Sequence, residues 1–188
     1  IESEGFHTDN PEIEPTEVEL LWEATDGLIH NLAYNAGKIS FIATGLEGNA
    51  LIAAKDAAGT ILWSWHIWMT DEPVEQTYVN NTGTYVMLDR NIGAIRSDRG
   101  NGEEWKDASG VQYQWGRKDP FIYDRYNGRE TFIGLEESIS NPTDFAYGNN
   151  QWVNSFSRDF WSPSQKTIYD PCPVGYRVPV LSAWTGFT

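Results

Sequence analysis

The sequence predicts a β-rich α+β fold in which an antiparallel β meander leads into a loop-rich portion. Three observations carry that expectation. First, residues 61–71 read ILWSWHIWMTD, with Trp63, Trp65 and Trp68 inside six positions. In an extended chain Ile61, Trp63, Trp65, Ile67 and Met69 share one face, and Leu62, Ser64, His66, Trp68 and Thr70 share the other. No helical stripe collects either set. A strand with one apolar and one mixed face belongs near the centre of a sheet. Second, short apolar runs recur at regular spacing between turn formers. Third, the stretch from about 95 to 168 loses periodicity while staying rich in Gly, Asn, Asp and aromatic side chains. Loops of that length are uncommon in compact domains and often functional.

In chain order, residues 1–16 read as an acidic linker carrying Pro11 and Pro15. Strands are expected near 17–24, 28–34, 38–44, 49–55 and 60–69. They are joined through Asp26-Gly27, Asn35-Ala36-Gly37, Gly45 to Gly48 and Asp56 to Gly59. Another strand is expected at 84–89. Residues 17–70 thus form the meander and 71–188 the second portion, or the two make one continuous domain. Trp105, Tyr113, Trp115, Phe121, Tyr123, Trp152, Phe156, Phe160 and Trp161 are candidates to pin the long loops to the core. Residues 180–188 read as the start of a helix, so the fold is expected to be C-terminally incomplete.

Charge narrows the partners. The net charge is −14, which opposes binding to nucleic acid or docking on anionic lipid. Nine carboxylates, from Glu2 to Asp26, precede the first basic residue, Lys38. They read as a solvated arm or as a docking tail for a basic partner. Cys172 is the only cysteine, so no intrachain disulfide is possible within this sequence. No apolar run reaches the roughly 18 residues of a membrane span. The chain begins at Ile1 rather than Met, as a processed or trimmed product would.

Motifs for chemistry are sparse, and no metal or cofactor is expected. His7, His30 and His66 stand in no HExxH pattern, and His66 reads as a hydrogen-bonded structural histidine. Residues 98–104 place carboxylates closely but lack the spacing and distal Glu of a calcium loop. There is no Gly-x-Ser-x-Gly elbow and no phosphate loop. Cys172, between Pro171 and Pro173, has no flanking base to activate it. Carboxylate pairs for sugar hydrolysis keep a hydrolase as a minor alternative. Carbohydrate binding has more substance, because sugar rings stack on exposed indoles while polar groups bond the hydroxyls. Trp105, Trp115, Arg117, Asp119, Asp124, Arg125, Tyr126 and Asn127 supply that mixture in loop-like sequence.

Three ordered segments carry a resemblance: residues 61–71, VMLDRNIGA (86–94) followed by YQWGRKDPF (113–121), and IYDPCPVGYRVP (168–179). Together they resemble the C-terminal region of fimbrillin-like and other surface proteins of gut Bacteroidetes. They are also similar to the Fibrobacter-type major paralogous domain, which is C-type-lectin-like. Asp89, Arg90, Asn91, Gly93 and Ala94 match one motif. Cys172, Pro173, Gly175, Tyr176, Arg177, Pro179 and Trp184 match the other. The prolines suit an extended path, and Tyr176 and Trp184 suit core anchors. Arg177 is expected to pair with a buried carboxylate, Asp89 being one candidate, or with carbonyls. Val180 stands where the family has a Ser or Thr cap, so the terminal helix should start weakly. The strands that follow this helix in the family are missing, which should expose an edge open to strand addition by another chain. Trp63, Trp65 and Trp68 then read as architecture.

The resemblance implies an exported protein at the cell surface, outer-membrane-associated or fimbrial. Its role would be structural or adhesive and non-enzymatic, a pilus-tip component being one form of it, with other surface or pilus subunits as partners. A glycan is the partner under the alternative of a carbohydrate-binding module. Neither nucleic acid nor direct membrane insertion is expected.

Overall fold

The computed structural model describes residues 12–122, 127–148, 151–153 and 160–186. Its first five strands are β1 (Glu17–Glu23), β2 (Ile29–Asn35), β3 (Lys38–Ala43), β4 (Gly48–Lys55) and β5 (Ile61–Met69), close to the spans expected. All pairings among them are antiparallel. Their order is not that of a meander. β1 pairs with β4, giving a sheet β1-β4-β5, while β2 and β3 form a separate hairpin. The cause lies at the end of β1. The Glu23 carboxylate accepts the backbone N–H groups of Gly27 (2.7 Å), Leu28 (3.0 Å) and Ile29 (3.3 Å). That turn lifts the chain out of the sheet plane and carries the hairpin across one face. The same bonds, Gly27 first, hold the Glu23 carboxyl below the usual carboxylate range.

The central strand is β4, not β5. From Gly48 to Ala54 every β4 residue is buried, and Ala50, Ala53 and Ala54 let layers approach from both faces. On the hairpin side Leu28, Ile29, Ala50 and Ile52 form a core with Leu20, Leu32, Ile39, Phe41, Trp65, Ile67 and Met69 around it. Each large apolar side chain buried there contributes about 1.5–3 kcal/mol. β5 ends the sheet β1-β4-β5 and packs against the helix at Leu135–Ser140.

Beyond residue 70 the elements are short. β6 (Glu75–Asn80) and β7 (Gly83–Leu88) make a second hairpin. β7 is the strand expected at 84–89; β6 escapes a reading by alternation because it opens on the polar run Glu75, Gln76, Thr77. Among the described residues a 3-10 turn (Gly102–Glu104) leads into α1 (Trp105–Ser109), followed by β8 (Asn127–Arg129), α2 (Leu135–Ser140) and β9 (Asp144–Ala146), with β8 and β9 parallel. Ile133, Ala146, Trp152 and Val153 centre a second core, flanked by Leu135 and Phe160. The expected terminal helix is a single 3-10 turn, Leu181–Trp184. Its cap residue, Val180, has no side-chain group to bond the turn. Trp184 is 54 % exposed rather than a core anchor, because this turn lies on the surface of the β6–β7 hairpin. Among the described residues no helix is long and apolar enough to cross a membrane.

Candidate functional site

The second face of β5 is the seam between the two regions, and polar side chains make the join. Ser64 is buried and donates to Asp119 Oδ1 at 2.6 Å. Lys118 Nζ donates to both Asp119 oxygens (2.7 and 2.9 Å), to the Ser64 carbonyl (3.1 Å) and to Ser64 Oγ. Its ammonium also stands 4.3 Å from the centre of the Trp63 ring. Burial lowers the Lys118 pKa, and Asp119 opposes that shift. Buried charges persist when paired and hydrogen-bonded, and here all three ammonium protons have acceptors.

Two residues further along β5, His66 Nε2 lies 2.9 Å from Asn49 Oδ1 and Nδ1 lies 3.2 Å from the Tyr113 hydroxyl. The amide oxygen can only accept, which assigns the ring proton to Nε2. Nδ1 then accepts from Tyr113, whose hydroxyl burial keeps protonated well above the usual range. Asn49 Nδ2 passes the chain on to the Gly93 carbonyl at 2.7 Å. Burial pulls the His66 pKa down to about 4, so the ring is neutral at neutral pH. Trp68 Nε1 donates to the Ala94 carbonyl at 3.1 Å. Gly93 has φ +82°, and a Cβ there would lie 2.9 Å from Asn49 Oδ1 and from Val111. The DRNIGA segment therefore sits flat on the sheet. His66 is a structural, hydrogen-bonded histidine, as its sequence context indicates.

Two clefts open beside this seam and share Ile92, Cys172 and Pro173 in their walls. The first, about 510 Å³, is walled by Trp63, Trp68, Ile168, Pro171 and Val174, with His66 and Lys118 among its lining residues. The second, about 600 Å³, runs between β7 (Val86, Leu88) and the segment Tyr176–Pro179. Asp170 organises the segment between them. It accepts the backbone N–H of Cys172 and of Val178, each at 2.9 Å, and pairs with Lys166 at 2.8 Å. Burial, with the nearby Asp170 carboxylate, pushes the Cys172 thiol up to about 12, so it is a protonated, unactivated thiol.

The residues singled out in the sequence are not gathered into one site. Trp105 on α1 and Trp115 are exposed (42 % and 38 %), and Trp115 lies 5.7 Å from Trp161. Arg117 and Asp119 are each 2 % exposed and face inward, out of reach of a surface glycan. The Arg117 guanidinium donates to Gln114 Oε1 and to the carbonyls of Ser138, Asn141, Pro142 and Asp144, capping the end of α2. Burial lowers its pKa to about 10, which leaves it charged. Asn127 lies in β8; Asp124, Arg125 and Tyr126 lie outside the described residues.

The Arg177 pairing with Asp89 is replaced by a local one. Asp89 bonds Arg90 Nε at 2.9 Å, and Arg90 continues to Asp71; Arg177 is exposed. Adjacent residues at the end of β7 meet without the loop closure that residue 177 would need. At 98–104, Arg96 pairs with Asp98 (2.6 Å) and Glu104 (3.1 Å). Sequence reasoning missed Lys118, Asn49 and Asp170 as anchors. The available signal was the pair Ser64 and His66, two polar residues inside an apolar strand that had to find partners.

Comparison with known proteins returns no family model, no curated protein and no solved structure that matches this chain.

Proposed function

We propose that the protein is a non-enzymatic structural or adhesive module of an exported bacterial surface protein, joined to other surface or pilus subunits by strand addition along β7. The carrying observation is the β7 edge. Among the described strands β7 pairs with β6 alone, and it borders the groove of about 600 Å³ walled by Leu88, Ile92, Val111 and Pro179. Unpaired backbone groups beside an apolar groove suit an extended segment of another chain. The polar side chains in the clefts support the same reading. In the first cleft Ser64, His66, Lys118 and Asp170 are occupied by internal hydrogen bonds, and in the groove beside β7 the Asp89 and Arg90 side chains are paired with each other.

The test is Val86→Arg, introduced where the protein is naturally expressed; Val86 is 52 % exposed in the groove wall. Adhesion or surface assembly falls roughly tenfold, the effect of about 1.4 kcal/mol at an interface, with thermal unfolding unchanged. Unaltered adhesion and assembly would overturn the proposal. A second reading, a glycan-binding module, is favoured by the exposure of Trp105 and Trp115. A glycan array on which wild type binds and Trp105→Ala or Trp115→Ala does not would select it.

A further inference from the structure

We propose that His66 is an acid-labile latch: its protonation releases the segments carrying Tyr113 and Gly93–Ala94 from the β1-β4-β5 sheet, while the sheet and its β2–β3 hairpin stay folded. The argument begins with the direction of each hydrogen bond. Tyr113 O–H donates to His66 Nδ1, His66 Nε2–H donates to Asn49 Oδ1, and Asn49 Nδ2 donates to the Gly93 carbonyl. The relay thus crosses from the 111–121 loop through β5 and β4 to the 91–94 turn. A second proton on the ring turns Nδ1 from acceptor into donor, and the Tyr113 hydroxyl must rotate away from it. The hydroxyl then loses its acceptor at a buried position.

Among the described residues the new charge meets no uncommitted counter-ion. From β1 the ring meets Trp22, 6.4 Å away, and from β4 the neutral Asn49 amide. The 111–121 loop brings Tyr113, Lys118 and Asp119; the ammonium repels an imidazolium, and it already takes both Asp119 oxygens. The 168–174 segment brings Cys172, a neutral thiol, and Asp170, which is committed to Lys166 and to two backbone N–H groups. Arg90 lies further along, paired with Asp89 and Asp71. An unpaired buried cation is strongly disfavoured, so the seam opens to admit water. The other face of the sheet does not take part. The apolar core on that face is drawn from residues 20–69 alone.

The depressed pKa sets the window and the sign. The folded value of about 4 lies below the ordinary 6.5. The closed seam binds fewer protons than the open one, so the latch is fully made above about pH 6.5 and weakens as pH falls toward about 4.

Hydrogen exchange followed by mass spectrometry on the full chain, from pH 7 to pH 4 and corrected for intrinsic rates, tests the latch. Protection in the segments around 91–94 and 111–121 falls by roughly 100-fold, the ratio that a shift from 6.5 to about 4 gives between pH 7 and pH 4, where the closed-seam ring is already half protonated. Protection in β2, β3 and β4 stays within a few-fold. In His66→Gln, whose amide keeps one donor and one acceptor, the seam loses this pH dependence. Should that variant fail to fold, NMR titration of the wild-type imidazole decides: the ring must titrate near 4 and together with seam opening. A ring titrating near 6.5, equal loss of protection across both regions, or the same pH dependence in His66→Gln would each overturn the latch.

Discussion

Between residues 17 and 69 the protein is held by apolar contact: Leu28, Ile29, Ala50 and Ile52 sit beneath a hairpin whose inner face matches the odd-numbered residues of β5. Between 89 and 186 a smaller apolar core around Ile133 and Trp152 is joined by charged side chains that reach across the chain. Lys118 and Asp119 grip Ser64, Arg117 caps α2, Asp170 gathers the Cys172–Val178 segment, and Arg90 ties Asp89 to Asp71. The first region resists disturbance through many small, interchangeable contacts. The second depends on a few groups that are costly to leave unpaired. That contrast teaches where each half should fail: the first by loss of volume, the second by loss of a single charge.

Asp119→Ala should have the largest effect. It strands the buried Lys118 ammonium and costs about 3–5 kcal/mol of stability, read by urea unfolding. Lys118→Met in the same background should recover much of the loss, since the loop then carries no unpaired charge; no recovery would mean that the pair is not what holds the loop. Ile52→Ala, in the apolar half, should cost about 2–4 kcal/mol through a cavity, and should lower hairpin and seam protection alike. Gly93→Ala comes next. The positive φ and the 2.9 Å approach to Asn49 and Val111 make a cost of about 1–3 kcal/mol, with the seam losing protection before the hairpin. Last, Glu19→Gln removes the exposed partner of Lys55. It should barely move the urea midpoint, and the difference should vanish in high salt. A large effect there would show that surface charge, not apolar contact, governs the first half.

The legibility of the two halves differs for the same reason. The β5 stretch announces itself by alternation, and the turns at Asp26-Gly27 and Asp56–Gly59 by their residues. There Asp56 Oδ1 accepts the N–H groups of Ala58 (2.9 Å) and Thr60 (2.8 Å). Periodicity is local, so it can be read from a short window. β4 as the sheet centre was not readable, because an alanine-rich strand looks weaker than its tryptophan-rich neighbour, although small side chains are what a doubly covered strand needs. Of the candidate glycan ligands, Trp105 and Trp115 could be placed outside by nothing in their own neighbourhood, nor Arg117 and Asp119 inside. Their exposure follows from elements that approach from elsewhere.

The amino-acid sequence by itself determined the strands between 17 and 69, their turns, the acidity that opposes nucleic acid, and the aromatic face of residues 61–69. These follow from backbone geometry and side-chain transfer energies, which act within a few residues. Only the tertiary structure decided which polar groups meet: Ser64 with Asp119, His66 with Asn49 and Tyr113, Asp89 with Arg90 instead of Arg177. A hydrogen bond or an ion pair needs its atoms within about 3 Å, and that distance is set by the packing of elements remote in sequence.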